Sequence, residues 1–220
     1  VYSSYNKDFV SYFHYAFIDY CKKKNVIAEF IRFNPLLRNN IFSQNFCHIV
    51  EDRNTVFINL SSYNDINDIQ TNSYNKEARK NCRKAKKQGL THSIAASTKE
   101  YKNFYCLYLN TMKSIGATEY YFFSNNFILD LYKLLSEKHE LILVWLNAEL
   151  VGGFIILYSG KYAHNFLSAG SMEHRKLNVN EFMQDIAISR AKDKGCEIIH
   201  FGGGNSNDPG DPLFKFKAKF

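Results

Sequence analysis

Three short apolar runs separated by two tight turns constrain this chain more than any other feature. Leu141–Leu146, Val151–Tyr158 and Tyr162–Ser168 are joined at Asn147-Ala148-Glu149 and Ser159-Gly160. That leaves room for hairpin turns and little else, so the spacing predicts an antiparallel meander. A helix follows, with Val179, Phe182, Met183, Ile186, Ala187 and Ala191 on one face. Asn178 with Glu181 three residues on reads as its capping box, and Gly195 ends it. A strand over Glu197–Phe201 and a glycine-rich loop close the readable part. Two helices precede the meander, one from Thr98 to Gly116 with Tyr101, Tyr105, Tyr108 and Met112 inward, and one over Asn125–Glu137. The order is neither strict βαβ alternation nor separate blocks, so the expected fold class is mixed α/β (α+β).

The first part reads as the later portion of a similar unit, although no tandem repeat supports it. Phe9, Phe13, Ala16, Phe17 and Tyr20 mark an amphipathic helix followed by Lys22-Lys23-Lys24. Val26–Phe33 is apolar on both faces, as in a central strand, and puts Arg32 at the end of a buried face. Further strands are expected at Phe46–Val50, Thr55–Leu60 and Leu90–Ala95. The expected domains are therefore 1–95, the end of an N-terminal unit, and 96–220, a second unit. Val1 in first place and a Lys/Phe cluster ending at Phe220 suggest a piece of a longer polypeptide.

Composition excludes several classes. Hydrophobic residues make up 45% and aromatic residues 16% of the 220 positions, too much apolar material for a disordered chain. The richest apolar stretch, Leu141–Tyr158, is interrupted at Asn147 and Glu149, and the charged first apolar cluster does not read as a signal peptide. A soluble, cytoplasmic protein is expected. Cys21, Cys47, Cys82, Cys106 and Cys196 form no C-x-x-C pair and read as reduced, mostly buried thiols, and no cluster has metal-ligand spacing.

The net charge of +7 is concentrated in one place. Lys76, Arg79, Lys80, Arg83, Lys84, Lys86 and Lys87 face only Glu77, while Ala78, Cys82 and Ala85 recur at helical spacing before Gly89. A basic helix with a thin small-residue stripe follows. It suits nucleic acid, a nucleotide-linked phosphate, or simple solvation.

Four segments carry a family likeness: Phe30-Ile31-Arg32-Phe33-Asn34-Pro35 with Leu36 and Leu37; Arg79-Lys80-Asn81-Cys82-Arg83-Lys84-Ala85 leading to Gly89; His200-Phe201-Gly202-Gly203-Gly204; and Phe216-Lys217-Ala218-Lys219-Phe220. In this order the chain resembles FemAB-like acyltransferases of the GNAT-like superfamily, relatives of the peptidoglycan bridge-forming enzymes. The resemblance implies a GNAT-like fold in which two central strands splay to admit an acyl donor, with transfer to an amine. It implies that Lys217 stabilises the developing oxyanion. No coiled-coil insertion is present, which favours acyl-CoA over aminoacyl-tRNA as donor. The pyrophosphate loop expected before the capped helix is degenerate, since Ser171–Asn178 has Arg175 and Lys176 but no glycine.

Amine acylation needs a base, so His164, which shares a strand face with Tyr162, and His200 at a strand end are catalytic candidates, each also readable as structural. Gly203 lies in a loop whose amides can approach an anion or carbonyl. Asp208 and Asp211 either bind the acceptor amine or shape turns. Arg32 needs an anion, an internal carboxylate or a substrate phosphate. Arg79 and Arg83, one turn apart with Lys84 beside them, suit a diphosphate. Tyr121 is core or a sugar platform. The expected acceptor is a nucleotide-linked or lipid-linked sugar or a muropeptide, with tRNA and peripheral membrane contact as further partners. The rival class is a non-catalytic RNA- or sugar-nucleotide-binding module.

Overall fold

The computed structural model describes residues 6–220. The chain divides into two compact units that meet between Asp52 and Arg53.

In the first unit, helix α1 (Lys7–Lys23) starts where the Asn6 side chain accepts the Phe9 N–H at 2.9 Å. Among the described residues no strand follows. Residues 26–33, read from sequence as a two-sided central strand, form no strand, with Ile27 99% and Phe30 87% exposed. The strand expected at Phe46–Val50 is also absent. An apolar alternation specifies faces suited to burial, but a ladder needs a neighbouring strand, and none of the described strands pairs here. Arg32 is accordingly exposed rather than held on a buried face.

The second unit is built on one six-stranded sheet. Its strands are β1 (Thr55–Asn59), β2 (Leu90–Ile94), β3 (His139–Leu146), β4 (Glu149–Ser159), β5 (Tyr162–Gly170) and β6 (Ile198–Gly203), in the order β1-β6-β5-β4-β3-β2. The expected meander is β3–β5. Every neighbouring pair is antiparallel except β5 and β6, which are joined by the crossover helix α6 (Val179–Asp193). Strand alternation sorts the core. Ile142, Val144, Phe154 and Ile156 pack with α6 and the basic helix α3 (Lys76–Lys87), and Leu141, Leu143, Ile155 and Leu167 pack with α4 (Thr98–Ser114) and α5 (Asn125–Leu135). Because β1, α3 and β2 join this same sheet, the division expected after residue 95 falls instead after Asp52.

The buried Asp185 of α6 fixes how the helices on the first face sit. It accepts hydrogen bonds from Gln70 Nε2 at 2.6 Å, on α2 (Ile66–Asn72), and from Tyr74 Oη at 3.1 Å, and it pairs with Lys86 Nζ at 2.7 Å. A buried carboxylate needs such partners to offset its desolvation. Burial and this carboxylate push the Cys82 thiol up to about 12. The capping box expected at α6 is not made. Asn178 has φ 59°, whereas a capping side chain reaches the helix amides from extended backbone, and Glu181 Oε1 instead accepts from Asn81 Nδ2 at 2.9 Å.

Gly152 and Gly153 of β4 let helices approach from both faces. A Cβ at Gly152 would lie 2.6 Å from Val179 Cγ1 of α6, and one at Gly153 would lie 2.8 Å from Phe104 Cδ2 of α4. Gly152→Ala is therefore expected to lower the unfolding free energy by about 1–3 kcal/mol through overpacking. Urea denaturation reads it, and an unchanged midpoint contradicts this packing.

Candidate active site

The parallel register of β5 and β6 is short. It covers Tyr162↔Ile198, Ala163↔Ile199 and His164↔His200 and no further pair. Just beyond, both strands carry an extra residue. Ile155 and Ile156 of β4 face Leu167 and Asn165, so Phe166 is a bulge, and Val56 and Phe57 of β1 face Gly202 and His200, so Phe201 is another. Bulges bend a strand and interrupt its pairing, which is why the two strands part past the histidines. A fork in the sheet results, with His164 and His200 at its base.

The two imidazoles stack with centroids 5.1 Å apart, and their Nδ1 atoms are separated by 3.1 Å. His164 Nδ1 also lies 3.2 Å from the His200 carbonyl oxygen. Burial lowers the pKa of His164, although the His200 carbonyl opposes this and the Lys217 charge assists it. Burial, His164 and Lys217 together push His200 down to about 4. Both rings are thus neutral at pH 7.

Lys217 belongs to helix α7 (Pro212–Lys217), and its Nζ donates to the Gly203 carbonyl at 2.7 Å. Burial holds its pKa down at about 8, with Asp211 pulling the other way. The three residues singled out from sequence as catalytic are therefore in one place. Sparsely solvated cations of this kind act strongly on charge that develops beside them.

Asp211 is what positions the lysine helix. One oxygen accepts the Phe214 N–H at 2.8 Å, capping α7, and the other accepts the Asn205 and Ser206 N–H groups at 2.9 and 3.1 Å. Its acceptor capacity is taken by the backbone, which also holds its carboxyl below the usual range. Asp208 shapes a turn by accepting the Gly210 N–H at 2.7 Å. Both aspartates thus follow the turn-shaping reading. The glycines have local reasons as well: Gly202 has φ 73°, a Cβ at Gly203 would meet Asn54 O at 2.9 Å, and one at Gly204 would meet Asp211 Oδ1 at 2.5 Å. Gly203 offers the site its carbonyl, bonded to Lys217, rather than a free amide cradle.

The basic helix splits the expected arginine pair. Arg79 donates to the carbonyls of Thr71 at 2.8 Å and of Tyr74, closing the end of α2, so it is not available with Arg83 for a diphosphate. The side chains of Arg83 and Lys84 are exposed and make no hydrogen bond or ion pair among the described residues. With Lys76, Lys80 and Lys87 they form a stripe opposite Ala78, Cys82 and Ala85, about 16 Å long at ~1.5 Å rise per residue. Tyr121 is 41% exposed, and its carbonyl accepts the Tyr108 hydroxyl at 2.8 Å.

Three contributors escaped the sequence reading. Arg53 donates to the carbonyls of Gly204 and Asn205, both at 3.1 Å, bracing the glycine loop. Its polar surroundings give no signal. Asn165 and Ser168 bond each other at 3.1 Å on β5 beyond the fork, and Asn165 also donates to Gln184 at 3.0 Å. Polar residues within an otherwise apolar strand were the available clue.

A cavity of about 330 Å³, lined by Tyr101, Tyr132, Ser136 and His139 among others, lies elsewhere. His139, Leu157, His164 and His200 occupy one cross-strand row, so it opens two strands away from the fork. Both His139 nitrogens are engaged, by Tyr101 Oη at 2.7 Å and Ser136 O at 3.0 Å. The fork, with unengaged groups, is the better candidate. Among the described residues no His/Cys/Asp/Glu group is placed to hold a metal ion, and no helix is long and apolar enough to cross a membrane.

The sequence profile of the acetyltransferase (GNAT) domain matches residues 72–215, and the chain belongs to that family of acyltransferases. Among solved structures it is similar to FemX, at 18% identity and a TM-score of 0.65 over 74% of this chain and 57% of that one. It is similar, at 12% identity and a TM-score of 0.65, to the C-terminal domain of a putative lysylphosphatidylglycerol synthetase from Agrobacterium fabrum, over 93% of this chain and 67% of that one. The L-PGS of Bacillus licheniformis gives 13% identity and a TM-score of 0.60 over 83% and 61%. At these identities the likeness is one of fold, and the chain spans just over half of FemX. No curated protein matches in sequence.

Asp211→Ala is expected to speed amide hydrogen exchange at Asn205, Ser206 and Phe214 while leaving β3 and β4 protected. Undiminished protection in the loop would mean that Asp211 does not hold it.

Proposed function

We propose that this chain is an N-acyltransferase in which the fork between β5 and β6 receives the acyl group, His164 is the base and Lys217 stabilises the oxyanion. The observation that carries the reading is the convergence of a neutral imidazole pair and a half-buried lysine where two parallel strands separate. His164 Nε2 takes the proton of the acceptor amine as its nitrogen attacks the acyl carbonyl carbon. The negative charge gathering on the carbonyl oxygen faces the Lys217 ammonium. When the bond to the donor sulfur breaks, the proton held by His164 is available to the departing thiolate.

The favoured donor is acyl-CoA. Arg175 and Lys176 are exposed beside the N-terminus of α6, and Asn178 adopts the left-handed conformation that a glycine would otherwise supply in this loop. These residues would hold the pyrophosphate. A second reading, aminoacyl-tRNA as donor, draws on the five-cation stripe of α3 and on the FemX-like fold. The acceptor we favour is an amine on a nucleotide-linked or lipid-linked cell-envelope sugar or a muropeptide, in keeping with the FemAB-like segments. A cytoplasmic enzyme with peripheral contact to the bacterial membrane suits this acceptor. A binding module without chemistry would keep ligand affinity yet never transfer.

Acyl transfer from acetyl-CoA to a panel of amino-sugar nucleotides tests the reading. Lys217→Ala is expected to lower kcat by about 10²–10³ with little change in KM. Equal loss of binding and turnover would contradict the role of Lys217. The pH dependence follows from the two shifts. His164 must be deprotonated, so kcat rises through a value below the ordinary histidine range, and Lys217 must be protonated, so kcat falls as pH rises through about 8. Lys217→Arg is expected to remove the alkaline limb. If tRNA is the donor, its affinity falls with salt at a slope of roughly −4 in log K against log[salt] when all five cations engage phosphate. A flat salt response eliminates that second reading.

A further inference from the structure

The protons of the histidine pair are fixed by the backbone. His164 Nδ1 lies 3.2 Å from the His200 carbonyl oxygen, which only accepts, so this nitrogen carries a hydrogen. The same N–H faces His200 Nδ1 at 3.1 Å, and two N–H groups cannot point at each other. His200 Nδ1 is therefore the bare acceptor, and the proton of this neutral ring sits on Nε2. That Nε2 is buried and has no hydrogen-bond partner. Buried donors without an acceptor are rare and costly, and one at the base of the fork calls for an oxygen that the protein itself does not supply.

We propose that the His200 Nε2–H is a second oxyanion donor, which together with Lys217 receives the acyl carbonyl oxygen when the donor enters the fork. The pair then divides the work. His164 keeps its Nε2 lone pair because the His200 carbonyl claims its only proton, and His200 presents an N–H because His164 points one at its other nitrogen. His200 acts as a neutral donor, not as an acid that gives up its proton. Its ring, crowded by His164 and by the Lys217 cation, stays uncharged. The ligand chemistry is specific: a carbonyl of an ester or thioester, not a free thiol or an amine. This inference rests on the acyltransferase reading for its substrate, while the tautomers stand independently of it.

Two measurements test it. Long-range ¹H–¹⁵N spectra of the imidazoles are expected to show His164 protonated at Nδ1 and His200 at Nε2. A His200 ring protonated at Nδ1 overturns the proposal even if the protein transfers acyl groups. The second measurement is His200→Leu, an apolar replacement of similar size that removes the orphaned donor and leaves the backbone carbonyl on His164 in place. It is expected to raise Tm by about 2–4 °C, as removal of a buried unsatisfied group should in a domain of this size. In the same variant kcat is expected to fall about 10²–10³-fold at unchanged KM, and His200→Gln, which restores an N–H, to recover at least tenfold. A lower Tm for His200→Leu makes the imidazole a structural group and overturns the proposal. Equal kcat in the Leu and Gln variants does so too. If no transfer is seen with wild type, the acyltransferase reading fails while the spectra and Tm still decide the state of His200.

Discussion

Everything that distinguishes this sheet follows from how briefly β5 and β6 pair. Three residues of parallel register are enough to anchor the crossover helix α6 between them, and the bulges at Phe166 and Phe201 end the ladder at once. A longer register would have filled the gap with main-chain hydrogen bonds. The early end leaves a wedge in the middle of a sheet whose other neighbours are paired over five to eight positions. Helices close over both faces of the neighbouring β4, pressed against Gly152 and Gly153.

Placing a lysine at the wedge requires a chain of local constraints. Gly202 turns the strand out with a positive φ, Gly204 lets Asp211 reach beneath it, and Asp211 caps the six-residue helix that ends at Lys217. Asp211 buried among backbone amides is satisfied, whereas Lys217 keeps only one carbonyl partner and His200 Nε2 keeps none among the described residues. Desolvation is thus balanced around the site and left unbalanced within it. Strain and unsatisfied groups concentrated at one point are the usual mark of a group held ready for a ligand.

Much of the fold was legible in the sequence. The meander, the basic helix, the crossover helix and the closing strand each announced themselves by period, turn residues and breakers; His164 and His200 were picked out singly by residue type and Lys217 by the family likeness, and that the three meet is legible only in the fold. Other features were illegible for physical reasons. The apolar alternation at Val26–Phe33 is satisfied by any covering surface, so it could not say that no described strand pairs there. Arg79 and Arg83 share a helical face, yet the carbonyls that end α2 come from a separate element and claim Arg79 alone. Capping at Asn178 depended on a φ angle that composition does not encode. The bulges, which create the fork, leave no trace in residue type.

The most direct test of the central claim, that the parted strands form the acyl-donor site, is an amide NMR titration of the ¹⁵N-labelled protein with acetyl-CoA. The account predicts shifts along His164–Gly170, His200–Gly204 and the loop at Arg175–Asn178. Shifts confined to the cavity around Tyr101 and His139, with the fork unmoved, would contradict it.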